Sequence, residues 1–279
     1  MTTEHNLAIY KMHRTGLPLH DFISHFTYYK NHTPHHSIDR FLPNGNIEIV
    51  IDLTQTPKFI YDNTTLTEIQ ACKELWVSGI RNNYITIPSG LNSEMFIINF
   101  NKGKSCPFLG FPLHEITDKV IDGGLVLNKI FLRLRDRLLT CNGIEKKFAI
   151  AEEVLTRHFR SALVTNPVIE YAVNRVLAAP EMTAIRNIAA RTGYSSKHLI
   201  HLFEHHVGVS PKSFLRIIRF QKSILEIERN GYTNFTSLAL DCGYYDQSHF
   251  IADFKNFSGF TPVEYLKRKN NQLNYVPVR

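Results

Sequence analysis

Residues 243–265 read GYYDQSHFIADFKNFSGFTPVEY. Apolar side chains recur at Phe250, Phe254 and Phe257, at the three- and four-residue spacing of an amphipathic helix. Glycine precedes this run, and a second glycine followed by proline ends it. Because glycine adopts the left-handed conformation that closes a helix without steric cost, we predict a turn and then a helix from about Asp246.

An earlier stretch repeats this pattern. Residues 188–194 read IAARTGY and residues 238–244 read LALDCGY, an offset of 50. Further along, Leu199 and Phe203 match two of the later phenylalanines at an offset of 51, so one residue is added in the second turn. Each copy joins a short apolar helix to a second helix through a glycine turn, which is the arrangement of a helix-turn-helix. Two copies favour nucleic-acid binding more strongly than one would.

The ends of this unit are also visible in the sequence. Asn166 before Pro167 is a helix start signal, since asparagine suits the cap and proline the first helical position. We therefore predict an all-α C-terminal DNA-binding domain at residues 166–279. It contains a first helix-turn-helix at about 183–208, a connecting helix at about 211–228 and a second helix-turn-helix at about 234–259.

The first part of the chain has the pattern of a β-rich domain. Residues 46–53 read NIEIVIDL, alternate between apolar and polar side chains, and follow the turn signal Pro43-Asn44-Gly45. Short runs at 74–80, 83–87 and 95–100 resemble it and are separated by proline and glycine. An antiparallel sheet or a small barrel is therefore predicted.

Beyond Pro112 the apolar spacing changes to three and four residues, which predicts two or three amphipathic helices within 115–162. The predicted fold class is thus α+β. The chain is predicted to consist of three parts in order: a β-rich sensing domain at 1–112, a helical dimerisation or linker segment at 113–165, and the all-α domain.

Composition and charge limit the possible functions. The chain has 279 residues, 43% of them hydrophobic and 20% charged, which is typical of a globular protein and excludes a disordered one. Residues 166–279 hold 14 Lys and Arg against 9 Asp and Glu, an excess of +5. Polyanion binding explains this excess, and a mildly basic solvated surface explains it equally well. Without a long apolar run or a secretion signal, a cytoplasmic protein with no membrane partner is expected.

The residue types that carry enzyme chemistry give no positive signal. The four cysteines lie too far apart in sequence for a compact zinc motif, so we predict reduced thiols, no metal and no cofactor. His201 and His205 are four residues apart, but no third ligand is evident, and solvated or phosphate-facing rings are predicted there. No phosphate loop, nucleophile elbow or H-E-x-x-H helix occurs. The protein is not expected to be an enzyme.

Residues 166–268 resemble the AraC/XylS family of bacterial transcription regulators. The second repeat carries the resemblance most specifically, from Gly243 to Tyr265. The resemblance implies two helix-turn-helix subdomains joined by a long helix, double-stranded DNA as the ligand and RNA polymerase as a further partner. It leaves open whether the output is activation or repression.

The N-terminal part resembles, more loosely, a domain of unknown function that accompanies this unit, through residues 41–48 (FLPNGNIE) and 76–80 (WVSGI). In the wider family this region is often a cupin-like barrel that binds a small effector and is followed by dimerisation helices. The resemblance therefore implies an effector pocket, for which Glu48 and Trp76 are candidates, and a homodimer. The alternatives are the polar face of a strand for Glu48 and a core position for Trp76.

Carried over by position, the outward residues of the second helix in each repeat are the predicted DNA contacts. Gln247 can bond an adenine edge, Lys197 can reach guanine and Ile200 can pack on a thymine methyl, although Ile200 can instead widen the buried stripe. Asp253 is expected to add a negative charge on the groove side. The full predicted set is Lys197, His198, Ile200, His201, His205, Gln247, Ser248, His249, Ile251, Ala252 and Lys255, with phosphate contacts at Lys212, Ser213 and Arg216.

Two other functions stay open on the sequence alone. A cupin-like metal enzyme fused to a DNA-binding unit needs several barrel-facing histidines and carboxylates that converge on a metal. A DNA-repair fusion of the alkyl-transfer type needs clustered N-terminal cysteines, which this sequence does not have. The main prediction is a sequence-specific transcription regulator, and the metal enzyme is the alternative.

Overall fold

A computed structural model describes residues 8–32, 34–90, 93–230, 234–270 and 272–278. Within these ranges the strands are β1 (Ile9–His13), β2 (Ile23–Lys30), β3 (Ile38–Phe41), β4 (Glu48–Asp52), β5 (Lys58–Tyr61), β6 (Glu68–Cys72), β7 (Leu75–Ser78), β8 (Ile85–Pro88), β9 (Glu94–Phe100), β10 (Val120–Asp122) and β11 (Tyr275–Pro277). The helices are α1 (Cys106–Leu109), α2 (Gly123–Val126), α3 (Ile130–Thr140), α4 (Ile144–Phe159), α5 (Pro167–Ala178), α6 (Ile185–Thr192), α7 (Ser196–Val207), α8 (Pro211–Asn230), α9 (Phe235–Asp241), α10 (Gln247–Ser258) and α11 (Pro262–Arg268).

The strands form two antiparallel sheets, and the predicted α+β fold class is confirmed. One sheet has the order β1-β2-β9-β4-β7-β10, and the other has the order β11-β3-β8-β5-β6. Helices α3 and α4 lie within the predicted helical region 115–162. No helix in the described ranges is long and apolar enough to cross a membrane.

The alternation of β4 explains how the layers stack. Ile49 and Ile51 are fully buried in the main core, together with Phe131 of α3 and Phe148 of α4. Residues between them point to the opposite face of the sheet. There Val50 lines a cavity together with side chains of the second sheet. The six-stranded sheet therefore lies between the helices and the five-stranded sheet.

Two short strands lie outside the predicted β-rich range 1–112. β10 pairs with β7, with Ile121 opposite Val77, and β11 pairs with β3, with Val276 opposite Arg40. Each has three residues, which is too short for alternation to be recognised in a sequence. The C-terminal strand therefore completes a sheet of the N-terminal part, although the prediction placed it in the DNA-binding domain.

The helices of the C-terminal part follow the repeat. The side chain of Asn166 accepts hydrogen bonds from the amides of Val168 at 3.0 Å and Ile169 at 3.2 Å, so α5 begins where the sequence predicts. α6 and α7 form one helix-turn-helix and α9 and α10 the other, with α8 between them. α8 has 20 residues, which corresponds to a length of about 30 Å. It packs against α5, α7, α9 and α10.

The C-terminal helices also pack directly on the N-terminal sheets. Gln221 of α8 donates hydrogen bonds to the carbonyl of Pro43 at 2.7 Å and to the side chain of Asn274 at 2.8 Å. The hydroxyl of Thr117 donates to the carbonyl of Gly208, which follows α7. These contacts join the two halves of the chain at several points.

The glycine turns of the two repeats share a backbone conformation but differ in their surroundings. Gly193 has φ 73° and Gly243 has φ 84°, both in the left-handed region. A Cβ atom on Gly193 would meet nothing within 4 Å, whereas on Gly243 it would lie 2.5 Å from the Cα of Glu181. Substitution of Gly243 therefore adds a backbone clash to the conformational strain.

We expect Gly193→Ala to lower the free energy of unfolding by about 1 to 2 kcal/mol, because alanine is strained in the left-handed region. Gly243→Ala should cost about 1 to 3 kcal/mol more, because its methyl group has to displace the chain at Glu181. Urea denaturation of the full chain measures both values. Equal losses in the two variants would show that the second turn does not pack against Glu181.

Candidate nucleic-acid interface

α7 has one buried and one exposed face. Its first turn is capped by Ser195, whose hydroxyl accepts a hydrogen bond from the amide of His198 at 3.3 Å. Leu199, Phe203 and Val207 are buried on the inner face, at the spacing that the repeat predicts. The exposed face carries four of the predicted DNA contacts, Lys197, His198, Ile200 and His201.

The position of Ile200 decides between its two interpretations. Its side chain is 40% exposed, whereas that of the neighbouring Leu199 is 1% exposed. Ile200 therefore lies on the outer surface and does not widen the buried stripe. Beside it, the ring of His198 stacks on Tyr194 with centroids 4.6 Å apart, which restricts the orientation of the imidazole.

His205 differs from the other predicted contacts of α7. It is half-buried, and its ring lies 4.7 Å from that of His206 between centroids. One ligand atom each of Cys106, His205 and His206 lie within 4.8 Å of one another. Burial, and then the charge of His205, lower the pKa of His206. His201, the predicted partner of His205, is not part of this group; instead the fold brings Cys106, about 100 residues earlier in the sequence, beside His205 and His206.

α10 repeats the pattern of α7. Asp246 caps it by accepting a hydrogen bond from the amide of His249 at 2.8 Å. Phe250, Phe254 and Phe257 are buried, as the sequence predicts, and Ile251 packs partly against the core. The exposed face carries Ser248, His249, Ala252 and Lys255.

Gln247 is half-buried and held by a neighbour. Its amide oxygen accepts a hydrogen bond from the hydroxyl of Thr236 at 2.7 Å. The oxygen keeps a second lone pair and the nitrogen keeps both hydrogens, so the amide can still bond an adenine edge. Thr236 lies on α9, so the first helix of this repeat orients a side chain of the second.

Asp253 is not on the groove side, and that expectation is wrong. Its residue is 5% exposed, and its carboxylate accepts hydrogen bonds from Arg216 Nε at 3.1 Å and Nη2 at 2.6 Å. These hydrogen bonds raise the pKa of Arg216. The pair links α10 to α8 and neutralises the carboxylate. The phosphate contact predicted for Arg216 stays a prediction, since two of its nitrogens already bond Asp253.

Several basic side chains of this region are exposed and unpaired. Lys212 lies on the first turn of α8 beside the half-buried Ser213, whose hydroxyl accepts a hydrogen bond from Ser210 at 3.1 Å. In the described ranges, six exposed cations of α6, α7, α8 and α10 have no carboxylate within 4.0 Å. They are Arg186, Arg191, Lys197, Lys212, Arg229 and Lys255.

The two candidate effector residues line one cavity of about 110 Å³ between the sheets. Trp76 is half-buried on its wall, among aliphatic and aromatic side chains. Glu48 accepts a hydrogen bond from the side-chain amide of Asn44 at 3.2 Å, and burial raises its pKa against the opposing effects of that bond, Arg81 and Lys102. Both residues thus line the cavity, and Trp76 also packs against the small apolar cluster of Ile60, Cys72 and Ile85, as its alternative core position requires. An effector contact for either residue stays a prediction.

Two protein families match the chain. A helix-turn-helix domain matches residues 188–268, and a domain of unknown function (DUF6597) matches residues 12–122. The chain therefore carries an AraC-type helix-turn-helix domain. In the structure, the matched C-terminal range begins within α6 and ends at the last residue of α11.

Curated relatives share this domain over part of their length. The chain is 30% identical over 83 residues to an uncharacterized HTH-type transcriptional regulator of Haemophilus influenzae, covering 30% of this chain and 28% of that protein. It is 26% identical over 110 residues to the HTH-type transcriptional regulator MtrA of Neisseria gonorrhoeae, covering 39% and 32%. The chain thus spans about a third or less of the length of these relatives.

Solved structures resemble the chain over a larger part. A structure of ToxT from Vibrio cholerae matches 87% of this chain and 98% of its own, with 14% identity and a TM-score of 0.46.

Exposed residues around the helix-turn-helix domain also lie outside the set of predicted DNA contacts. Tyr245 is 88% exposed in the turn before α10, although it belongs to the motif that carries the family resemblance. Arg186 and Arg191 are exposed on α6. Two signals in the sequence could have identified them. Tyr245 lies in a turn, and the helical spacing of α6 sets the two arginines opposite the buried Ile188 and Ala189.

The pair of Asp253 and Arg216 should contribute to stability. Arg216→Ala leaves a buried carboxylate unpaired and should lower the free energy of unfolding by about 1 to 3 kcal/mol. This loss is smaller than that for a fully buried pair, because the side chain of Arg216 is 38% exposed. The double variant Arg216→Ala/Asp253→Asn should lose about 1 kcal/mol less than the sum of the two single variants. Urea denaturation of the four proteins gives these values. Additive losses would show that the pair contributes nothing.

Proposed function

We propose that the protein is a transcription regulator that binds a specific sequence of double-stranded DNA through the exposed faces of α7 and α10. The observation that carries this proposal is the repetition of one arrangement. Each helix is capped by a side chain, buries an apolar stripe and exposes polar residues, and both pack against the single helix α8. A recognition helix that enters the major groove has this division of faces.

The dimensions of α8 support simultaneous binding of both helices. At about 30 Å it is close to the separation of about 34 Å between successive major-groove faces of a duplex. A rigid connector of this length sets two reading helices one helical turn apart. The proposed DNA site therefore has two short half-sites on one side of the duplex.

The exposed side chains divide into two roles. Lys212, Lys255, Arg186 and Arg191 carry unpaired charges that suit phosphate oxygens, which supply affinity without sequence preference. Gln247 is the residue best suited to reading a base, because its amide is held by Thr236 and keeps the hydrogen-bonding groups that adenine requires. The remaining predicted contacts on α7 and α10 complete the proposed surface.

Gln247→Ala should weaken binding to the preferred site by about 1 to 3 kcal/mol and leave binding to random duplex nearly unchanged, because only base reading is lost. Lys255→Ala, on the same helix, serves as the matched control. It should weaken binding to both duplexes equally and reduce the slope of log affinity against log salt by about 0.9. Fluorescence anisotropy of labelled duplexes over a salt series measures both effects. If Gln247→Ala weakened specific and random binding equally, its assigned role would be refuted.

For the N-terminal part we propose effector sensing in the cavity that contains Glu48 and Trp76. The walls are mainly apolar, and Glu48 supplies an acceptor, so the proposed ligand is a compact apolar molecule that carries a hydrogen-bond donor or a positive charge. A homodimer and RNA polymerase are the proposed protein partners, and the bacterial cytoplasm is the proposed location, all by family resemblance.

Trp76 is the only tryptophan in the chain, so its fluorescence reports on this cavity alone. Benzylamine, a compact amine with an aromatic body, should change that fluorescence in a saturable way. Glu48→Gln should weaken the binding by about tenfold, since it removes the charge-assisted hydrogen bond. The uncharged toluene should bind the parent and the variant alike. A linear, non-saturating response in the parent would contradict the proposed pocket.

The alternative of a cupin-like metal enzyme has less support. It requires metal ligands that converge inside the sheets. In the described part of the chain, the one group of three potential ligands whose ligand atoms lie within 4.8 Å of one another is Cys106, His205 and His206, which lie on α1 and α7. These residues lie outside the cavity between the sheets.

A further inference from the structure

Three potential metal ligands from distant parts of the sequence meet between the N-terminal part and α7. Cys106 is the first residue of α1, and His205 and His206 belong to the last turn of α7. One ligand atom of each lies within 4.8 Å of the other two, and all three residues are half-buried. The group therefore lies at a junction of the two halves of the chain and not on a freely exposed face.

The donor set selects a class of ion. One thiolate and two imidazoles suit a borderline transition ion such as Zn²⁺, whereas Mg²⁺ and Ca²⁺ prefer oxygen ligands. With tetrahedral bonds of about 2.0 to 2.3 Å, ligand atoms are about 3.3 to 3.6 Å apart. The observed group has to contract by about 1 Å, which side-chain rotation can supply. Three protein ligands leave the fourth position for water.

The backbone around the group is already held in place. Gly208, directly after α7, packs so closely that an added Cβ would lie 2.7 Å from Ile80 and 3.2 Å from the carbonyl of Leu113. The hydroxyl of Thr117 donates to the carbonyl of the same glycine. Little backbone ordering is therefore needed when an ion binds.

The charges near the group do not repel a cation strongly. Lys104 lines the same surface depression as Cys106 and His206, and its ammonium lies 2.6 Å from the carboxylate of Glu170. That ion pair neutralises Lys104. Lys102, which lines the same depression, donates a hydrogen bond to the side-chain oxygen of Asn46 at 2.9 Å. The environment is compatible with a bound divalent ion.

We propose that Cys106, His205 and His206 bind one Zn²⁺ ion and so attach α7 to the N-terminal part of the chain. The thiol proton of Cys106 is released to solvent as its sulfur binds the ion. A second consequence rests on the proposed DNA-binding function. Because α7 also carries the predicted DNA contacts from Lys197 to His201, occupancy of this site changes DNA affinity, and DNA changes zinc affinity by the same factor.

Metal titration of the full chain tests the site without DNA. The metal-free protein is titrated with Zn²⁺ in competition with a chromophoric chelator, and with Co²⁺ to detect cobalt–thiolate charge-transfer absorption. We expect one ion per chain and the charge-transfer band in the parent. Cys106→Ser should lose the band, and both Cys106→Ser and His206→Gln should bind Zn²⁺ about tenfold more weakly or worse. Cys141→Ser and His158→Gln, which alter a cysteine and a histidine outside the group, should behave as the parent.

Three results would overturn the site. They are the absence of stoichiometric uptake by the parent, equal zinc affinity in the parent and Cys106→Ser, and equal affinity in the parent and His206→Gln. If Cys106→Ser fails to fold, as judged by its thermal unfolding, His205→Gln and His206→Gln decide instead. Zinc held only by His201 and His205 on the surface of α7 would be insensitive to Cys106→Ser, and so it counts against the proposal.

A DNA titration with and without Zn²⁺ tests the coupling. A change in affinity in the parent that is absent in Cys106→Ser supports it. Equal DNA affinity with and without Zn²⁺ in the parent overturns the coupling and leaves the zinc site intact. A protein that binds zinc but selects no DNA overturns the coupling and the proposed function together, while the metal titration still supports the site.

Discussion

The arrangement of the molecule depends on the burial of α8. Phe214, Ile217, Phe220, Ile224 and Ile227 on this helix are fully buried. Each such side chain contributes about 1.5 to 3 kcal/mol when it leaves water. The partners of this apolar surface include helices of both helix-turn-helix subdomains, so its burial fixes their relative position. If the two subdomains were not held in this relative position, the exposed faces of α7 and α10 would be two separate surfaces and not one interface.

The same helix connects the helix-turn-helix domain to the sheets. Ile217 and Ile218 pack close to Gly45, which lies in the turn before β4. A Cβ atom added to Gly45 would be 3.3 Å from the side chain of Ile218 and 3.5 Å from that of Ile217. Gln221 bonds both Pro43 of that turn and Asn274 before β11. A change in the cavity between the sheets therefore has a short physical route to α8, because β4 contributes Glu48 to the cavity and follows this turn directly. Coupling between the cavity and DNA binding is a proposal that this route supports.

Much of this fold could be predicted from local patterns. Some features depend only on a few neighbouring residues, which a sequence displays directly. They are the repeated buried side chains such as Phe203 and Phe254, the helix cap at Asn166 and the alternation around Ile49. Features that depend on distant contacts could not be predicted in this way. β11 has three residues and pairs with β3 more than 200 positions earlier, and Asp253 was placed on the groove side because its partner Arg216 lies on another helix. The approach of Cys106 to His206 is hidden for the same reason.

We propose that α7 and α10 read one duplex together. The most direct measurement presents the full chain with a pool of random duplexes, recovers the bound fraction and sequences it over several rounds. We expect enrichment of a site with two short conserved blocks whose centres lie about 10 base pairs apart, one helical turn of DNA. Recovery of unselected sequences, or of a single block with no second one at that spacing, would contradict it.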